Sequence, residues 1–417
     1  MARLVYTLAL WLALPLVVVR LWWRARRQPE YMQRKGERFG RYPQRPTRPV
    51  IWLHAVSVGE TRAAEPLLAA LAARYPGHQL LLTCMTPTGR ASALALRGAT
   101  VQVAYLPYDY PFAMRRFLAH FQPRVGLLLE TEVWPNLLAL CGAEGVPMAL
   151  VNARLSDRSY LRYLRFAALA RPAFAVFAQV VAQSASDRER ILALGASAVG
   201  VSGNLKFDVV PDAGLLAQGA AWRAALGARK VVLAASTRED EEALLMPLLK
   251  QLAALGHFVL VVPRHPQRFD QVAQLAETAG LRLARRSQGA SPAAAPVGWL
   301  GDSMGEMAAY YALADCAYIG GSLLPLGGQN LIEAAACGCP AMIGPHTWNF
   351  SEAADAAVAA GAAVRVADID GLAQALTALL TDDATRLRMV AAARSFAAAH
   401  RGATARTMAL IEPLLDR

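Results

Sequence analysis

Glu60 ends the run His54-Ala55-Val56-Ser57-Val58-Gly59-Glu60, where an apolar strand gives way to a glycine turn and a helix start. A carboxylate at the mouth of a strand is placed to take a proton from a hydroxyl, the work of a general base. The competing reading is a first-turn acid that stabilises the helix dipole. Glu130 closes a second apolar run, residues 125–129, and is followed by Thr131 and Glu132. It either converges with Glu60 or serves the start of the helix near Trp134-Pro135. Lys206, in Ser202-Gly203-Asn204-Leu205-Lys206-Phe207-Asp208, offers a cation to a departing phosphate, unless it is a solvated linker lysine.

A second group lies in the C-terminal half. Pro263-Arg264-His265-Pro266 follows an apolar strand between two prolines that fix the turn. Arg264 can grip a phosphate or carboxylate with two parallel hydrogen bonds, and His265 can donate or accept one. Gly320-Gly321-Ser322 follows another strand, and Gly327-Gly328-Gln329-Asn330-Leu331-Ile332-Glu333 opens a helix. Glycines before a helix let backbone N–H groups approach an anion, and the helix dipole favours it. Glu333 is placed to accept ribose hydroxyls; Asp302 and Gly305-Glu306 follow a further strand. The combination points to a nucleotide sugar. Asp368-Ile369-Asp370 has the look of a metal-binding Asp-x-Asp, but it directly precedes the helix start Gly371-Leu372-Ala373, so capping is expected and no metal. No G-x-G-x-x-G follows the first strand, and neither a P-loop nor a G-x-S-x-G elbow occurs. Dehydrogenases, P-loop enzymes and α/β-hydrolases are therefore disfavoured.

These residues sit just after short runs rich in Val and Leu without polar alternation, the pattern of parallel strands covered on both faces. One series covers residues 50–54, 79–84, 100–105, 124–130, 146–151, 174–182 and 198–202. A second covers 230–235, 258–262, 281–284, 297–300, 316–319, 341–343 and 363–366. Ala-rich helical stretches separate them. The fold class expected is α/β: two doubly wound, Rossmann-like domains in tandem, whose ligands bind outside the carboxyl ends of the strands, in a cleft. The expected boundaries are a basic linker at 28–49, a first domain at 50–208, a linker at 209–229 and a second domain at 230–417.

Of the 417 residues, 55% are hydrophobic and 18% charged, which excludes a disordered or fibrous chain. The net charge of +12 is uneven: residues 1–49 hold eleven basic and two acidic side chains, leaving 32 and 29 for the rest. A body so nearly balanced is not that of a nucleic-acid binder. The five cysteines form no CxxC pair and read as reduced thiols.

Leu4 to Val19 is an apolar run broken only by Pro15, followed at once by Arg20, Arg24, Arg26 and Arg27 with Trp22 and Trp23 among them. A cleaved signal or a buried core helix fits less well than a membrane anchor at residues 1–27. The run is short for a hydrocarbon core of about 30 Å, so it either spans or lies in the interface. The arginines on its C-terminal side put the body in the cytoplasm. Arg34, Lys35, Arg38, Arg41, Arg45 and Arg48 extend a collar that would attract anionic lipids or an acidic, lipid-borne substrate, at about 1 kcal/mol per charge near the surface.

Five motifs in order carry a resemblance. They are His54–Glu60, Glu130-Thr131-Glu132-Val133-Trp134-Pro135-Asn136, Gly203–Asp208, Pro263–Pro266 and Gly344-Pro345-His346-Thr347-Trp348-Asn349-Phe350. Together they closely resemble the bacterial 3-deoxy-D-manno-octulosonic acid (Kdo) transferases of lipopolysaccharide synthesis, from about residue 30 to the C-terminus. The resemblance implies a GT-B glycosyltransferase with an N-terminal anchor at the cytoplasmic face of the bacterial inner membrane. Its first domain would bind the acceptor and its second the CMP-sugar. The implied reaction moves Kdo from CMP-Kdo to the 6′-hydroxyl of a tetraacyl lipid A precursor (lipid IVA), with inversion, without a metal and with no cofactor beyond the donor. Carried over, Glu60 matches the catalytic base, and Glu130 and Lys206 match transition-state stabilisers. Arg264, His265, Met304, Gly305, Glu306, Gly321, Ser322, Asn330, Leu331, Ile332 and Glu333 fall on the CMP site. The implied partners are CMP-Kdo, a lipid A precursor and anionic lipids, with no nucleic acid. The family usually reads Gly-Gly-His-Asn-Pro before the helix acid; here it is Gly-Gly-Gln-Asn-Leu, so Gln329 loses titration and Leu331 loses a proline's fixed φ. A GT-B transferase using a UDP-sugar on a lipid is the alternative.

Overall fold

The computed structural model describes residues 1–97, 100–289, 291–292, 295 and 297–416. The chain folds into two compact units, residues 1–209 with 402–417, and residues 210–401. Each unit carries a seven-stranded sheet whose neighbouring strands all run parallel. The first sheet comprises β1 (Val50–His54), β2 (Gln79–Cys84), β3 (Val101–Tyr105), β4 (Pro123–Leu129), β5 (Met148–Ala153), β6 (Phe177–Ala182) and β7 (Val199–Val201), in the order β3-β2-β1-β4-β5-β6-β7. The second comprises β8 (Val231–Thr237), β9 (Phe258–Pro263), β10 (Ala284–Arg285), β11 (Gly298–Leu300), β12 (Cys316–Ile319), β13 (Ala341–Ile343) and β14 (Ala363–Arg365), in the order β10-β11-β9-β8-β12-β13-β14.

In both sheets the order reverses at the first strand, so β1 lies between β2 and β4, and β8 between β9 and β12. Such a switch point opens a crevice outside the carboxyl ends of the central strands. The uninterrupted apolar runs are explained by burial on both faces: every residue of β1 and of β9 is buried. At roughly 1.5–3 kcal/mol for each fully buried large aliphatic side chain, the central strands anchor their sheets and leave the loops beyond them free for chemistry.

All fourteen expected strands are present; β1, β2, β12 and β13 keep their expected ends and the others shift. The run expected at 281–284 pairs only over Ala284–Arg285. The run expected from 174 begins at Phe177, because Phe174 ends a helix; both rings are buried in one core, which blurs the boundary in the sequence.

Three boundaries differ from expectation. Residues 28–49 are not a free linker: Glu37 and Arg38 are 3% and 1% exposed. Glu37 accepts hydrogen bonds from the Tyr105 N–H (2.8 Å) and Arg90 (3.2 Å), and the Arg38 guanidinium lies 4.2 Å from the Tyr105 ring centre. Paired charges of this kind pack as part of the domain, and charge count alone does not reveal the pairing. Residues 209–229 contain the helix Ala213–Ala225, which belongs to the second unit. Gly219 lets this helix touch the backbone of its neighbour, since a Cβ there would sit 2.3 Å from the Ala309 carbonyl oxygen. The second domain ends at residue 401 rather than 417. The helix Ala403–Leu415 returns to the first unit, where Ile411, Leu414 and Leu415 join the core beneath β1 and β4. Asp208 holds its entry by accepting the N–H groups of Gly402 (2.6 Å) and Thr404 (2.5 Å).

Candidate active site

The first-unit site begins with a helix cap. Ser57 is the N-cap of α2 (Val58–Arg74), and its hydroxyl accepts the Glu60 N–H at 3.5 Å. The Glu60 carboxylate turns back, accepting the Val56 N–H at 2.8 Å and the Ser57 hydroxyl at 2.9 Å. Ser-x-x-Glu thus forms a variant of the capping box, in which the carboxylate reaches the N–H of the residue before the N-cap, and this fixes the direction of the Glu60 side chain. That signal was readable in the sequence, and it shows that the two competing readings of Glu60 are compatible. Despite these hydrogen bonds, the Glu60 pKa is pushed up to about 7: burial is the main cause, and the negative charges of Glu130 and then Glu132 add to it. A carboxyl with that pKa is partly ionised near neutrality and accepts a proton with useful driving force.

Glu130 stands immediately after β4 with a left-handed φ of 60°, and its N–H still bonds the Val151 carbonyl at 3.0 Å. A non-glycine residue held there costs on the order of 1–3 kcal/mol, and such strain concentrates at functional sites. Its carboxylate accepts the Lys206 ammonium at 2.7 Å, and both side chains are largely covered. Glu132 accepts the Trp134 indole N–H at 2.6 Å; burial, the larger effect, raises its pKa. Lys206 bonds Glu130, and Glu60 is the acid whose pKa reaches about 7. His54 does not serve as a second base. It is fully buried, its Nδ1 meets the Thr83 hydroxyl at 2.9 Å, and burial lowers its pKa to about 3.

Asn152 is a residue that sequence reasoning missed. It is buried, has a φ of 51° near the end of β5, and its side-chain oxygen accepts the Leu205 N–H at 3.0 Å. Asn204 donates to Gln183 at 3.0 Å. These two bonds orient the short turn that presents Lys206. The only sequence signal is an asparagine at a strand end, a type that tolerates the left-handed region.

In the second unit, the Arg264 guanidinium donates to the Gln329 side-chain oxygen at 3.2 Å, joining the turn after β9 to the glycine loop after β12. Three arginines, Arg238, Arg264 and Arg268, surround His265; burial first, then these charges, lower its pKa and keep it neutral. Gly320 presses on the end of β8, because a Cβ there would lie 2.4 Å from the Ser236 carbonyl oxygen. The loop is clamped by Glu241, fully buried, which accepts the Gly321 N–H at 2.6 Å and the Tyr318 hydroxyl. Glu242 beside it binds Arg268 through both oxygens, at 3.0 and 2.9 Å. Neither acid was singled out from the sequence, because Glu239-Asp240-Glu241-Glu242 looks like an ordinary solvated helix start.

The remaining candidates divide. Ser322 is fully buried, and its hydroxyl accepts the Gly344 N–H at 2.9 Å while donating to the Ile319 carbonyl at 2.5 Å, so it holds the loop from inside. Leu331 and Ile332 are buried in the core, and the Ile332 N–H bonds the Asn330 side chain at 3.1 Å. Glu333 lies in the first turn of the helix Ile332–Ala336. Met304 is exposed and Gly305 has a φ of 91°. Glu306 binds Arg286 at 2.8 Å and the Tyr310 hydroxyl at 3.2 Å. β11 pairs with β9, so this corner opens at the same sheet end as Arg264. Asp368 accepts the Gly371 N–H at 2.8 Å, the cap expected for Asp368-Ile369-Asp370.

Comparison with known proteins gives the family. The family described as 3-deoxy-D-manno-octulosonic-acid transferase (kdotransferase) matches residues 33–209. The 3-deoxy-D-manno-octulosonic acid transferase of Bordetella pertussis is 47% identical over 430 residues, covering 100% of both chains. That of Haemophilus influenzae is 34% identical over 425 residues, again covering 100% of both. A glycosyltransferase from Rickettsia africae shares the fold at a TM-score of 0.60 and 14% identity, over 89% of this chain and 100% of its own. The architecture is GT-B-like, and the chain belongs to the 3-deoxy-D-manno-octulosonic acid transferases, glycosyltransferases of lipopolysaccharide biosynthesis.

Proposed function

We propose that this transferase moves Kdo from CMP-Kdo to the 6′-hydroxyl of a tetraacyl lipid A precursor (lipid IVA), with inversion, at the cytoplasmic face of the bacterial inner membrane. The observation that carries this reading is the Glu60 carboxyl, fixed by its capping box and raised to a pKa of about 7. A sugar alcohol is a poor nucleophile, so the reaction needs a base, whereas CMP leaves readily. In this reading Glu60 takes the hydroxyl proton as the oxygen bonds to the anomeric carbon of Kdo. The bond from that carbon to the CMP phosphate oxygen breaks, and CMP departs with the electron pair. Lys206, oriented by Glu130, supplies positive charge to the developing anions. Arg264 and the glycine loop, tied together through Gln329, take the CMP phosphate, and Glu333 the ribose. No cofactor is consumed beyond the donor.

Purified protein given a lipid A precursor with CMP-Kdo or with UDP-sugars tests this, with products read by mass spectrometry. Turnover with CMP-Kdo and a mass gain of Kdo is expected; turnover only with a UDP-sugar would reject the donor assignment.

A further inference from the structure

The helix α1 (Ala2–Arg27) is long and apolar enough to cross a membrane. Yet it is tied to the domain near its beginning. The Tyr6 hydroxyl donates to Asp109 at 3.1 Å, Thr7 donates to the Asn136 side chain at 2.9 Å, and the Tyr110 hydroxyl donates to the Leu10 carbonyl at 2.8 Å. The Trp11 ring lies 5.5 Å from those of Tyr110 and Phe112. Near the other end Leu21 is buried, and the Arg24 guanidinium lies 5.6 Å from the Tyr31 ring centre. Between these points the less exposed positions include Tyr6, Leu10, Leu14, Val17, Leu21 and Ala25, a stripe at helical spacing. At 1.5 Å per residue the stripe runs for about 28 Å. The opposite face is apolar and exposed, with Leu4, Leu8, Leu12, Leu16, Val19 and Trp23.

A helix crossing the bilayer with the body on its C-terminal side would carry Tyr6 roughly 20 Å away from that body. Tyr6 instead bonds a buried acid of the domain. We infer that α1 does not span the membrane but lies in its surface, one face on the first unit and the other in the acyl region of an anionic bilayer. An isolated interfacial helix turns a polar face to water; here the protein takes that place, so the helix can be apolar nearly all round. The occupant of the exposed face is set by its chemistry. The rows of Leu and Val demand hydrocarbon, Trp22 and Trp23 suit the headgroup boundary, and Arg20, Arg24 and Arg26 suit anionic lipid. The adjoining surface agrees: α1 packs against the helix Ala167–Phe174, which follows the exposed Arg158, Leu161, Arg162, Arg165 and Phe166.

This inference rests on the membrane association proposed above and not on the transfer chemistry. Sealed inside-out inner-membrane vesicles containing full-length Ala2→Cys or Gln44→Cys protein are treated with a membrane-impermeant maleimide, and labelling above the wild-type background is read. In-plane α1 gives equal labelling of both variants, with no increase for Ala2→Cys after permeabilisation. Protection of the Ala2→Cys thiol until detergent is added would establish a span and overturn the inference, as would protein that fails to stay with the vesicles. Kdo transfer is assayed in the same vesicles. A labelled Ala2→Cys variant without transfer would reject the chemistry and leave the placement of the helix standing.

Discussion

The Lys206 ammonium sits 2.7 Å from the Glu130 carboxylate, and Glu130 holds a left-handed backbone to put it there. That ion pair lies beside Glu60, whose pKa Glu130 helps to raise. Lys206 is therefore bonded to the acid whose charge helps to raise the Glu60 pKa.

Glu130→Gln removes one of the charges that raise the Glu60 pKa. The acidic limb of the kcat/KM profile is expected to move to lower pH, whatever happens to the maximum rate. Lys206→Met leaves Glu130 without its bonded cation and is expected to move the limb to higher pH. Both are read from pH–rate profiles; limbs that stay in place in both variants would remove Glu130 from the environment of the base.

Arg264 reaches Gln329 at 3.2 Å, so each side chain limits the freedom of the other. Arg264→Ala is expected to raise KM for CMP-Kdo about tenfold or more, because charge-assisted hydrogen bonds to a phosphate are worth on the order of 1.5–3 kcal/mol. Gln329→Ala should raise it less, and Gln329→His should restore most of the loss. Steady-state kinetics with varied donor checks this; an unchanged donor KM in Arg264→Ala would place the phosphate elsewhere.

Ile411 is fully buried in the first unit although it belongs to the last helix of the chain. Ile411→Ala is expected to destabilise that unit by about 2–4 kcal/mol through lost burial and an unfilled cavity. Chemical denaturation followed by hydrogen exchange would show the loss in residues 1–209 rather than in 210–401.

The sheets and the motifs after their strands were legible because burial on both faces writes a strong apolar signal, and because a site at a switch point must follow a strand. The boundaries were less legible for particular reasons. Arg38 looks like one more surface charge until the Tyr105 ring and the Met85 carbonyl are seen around it. The return of residues 402–417 depends on Asp208 meeting Gly402, a pair 194 positions apart that no local pattern encodes. Glu241 and Asn152 support the sites through hydrogen bonds to backbone N–H groups, which spacing does not reveal and residue type hints at only for Asn152. Ser322 was legible as a loop residue, but not as one whose hydroxyl is spent inside the domain.

Glu60→Gln keeps the hydrogen-bonding shape of the capping box and removes the titration. The fold raises this group's pKa above the unfolded value of about 4.5, so wild-type stability falls as pH rises from about 4.5 through 7. The variant should be the more stable protein above pH 7, and the gap should close toward pH 4.5, read by thermal melting across pH.

The most direct measurement is the pH dependence of Kdo transfer from CMP-Kdo by wild type and Glu60→Gln. The wild-type kcat/KM is expected to rise with pH through an apparent pKa of about 7. The variant is expected to be slower by about 100- to 10,000-fold, with that limb gone. A variant that keeps both the rate and the limb would contradict the assignment of Glu60 as the base.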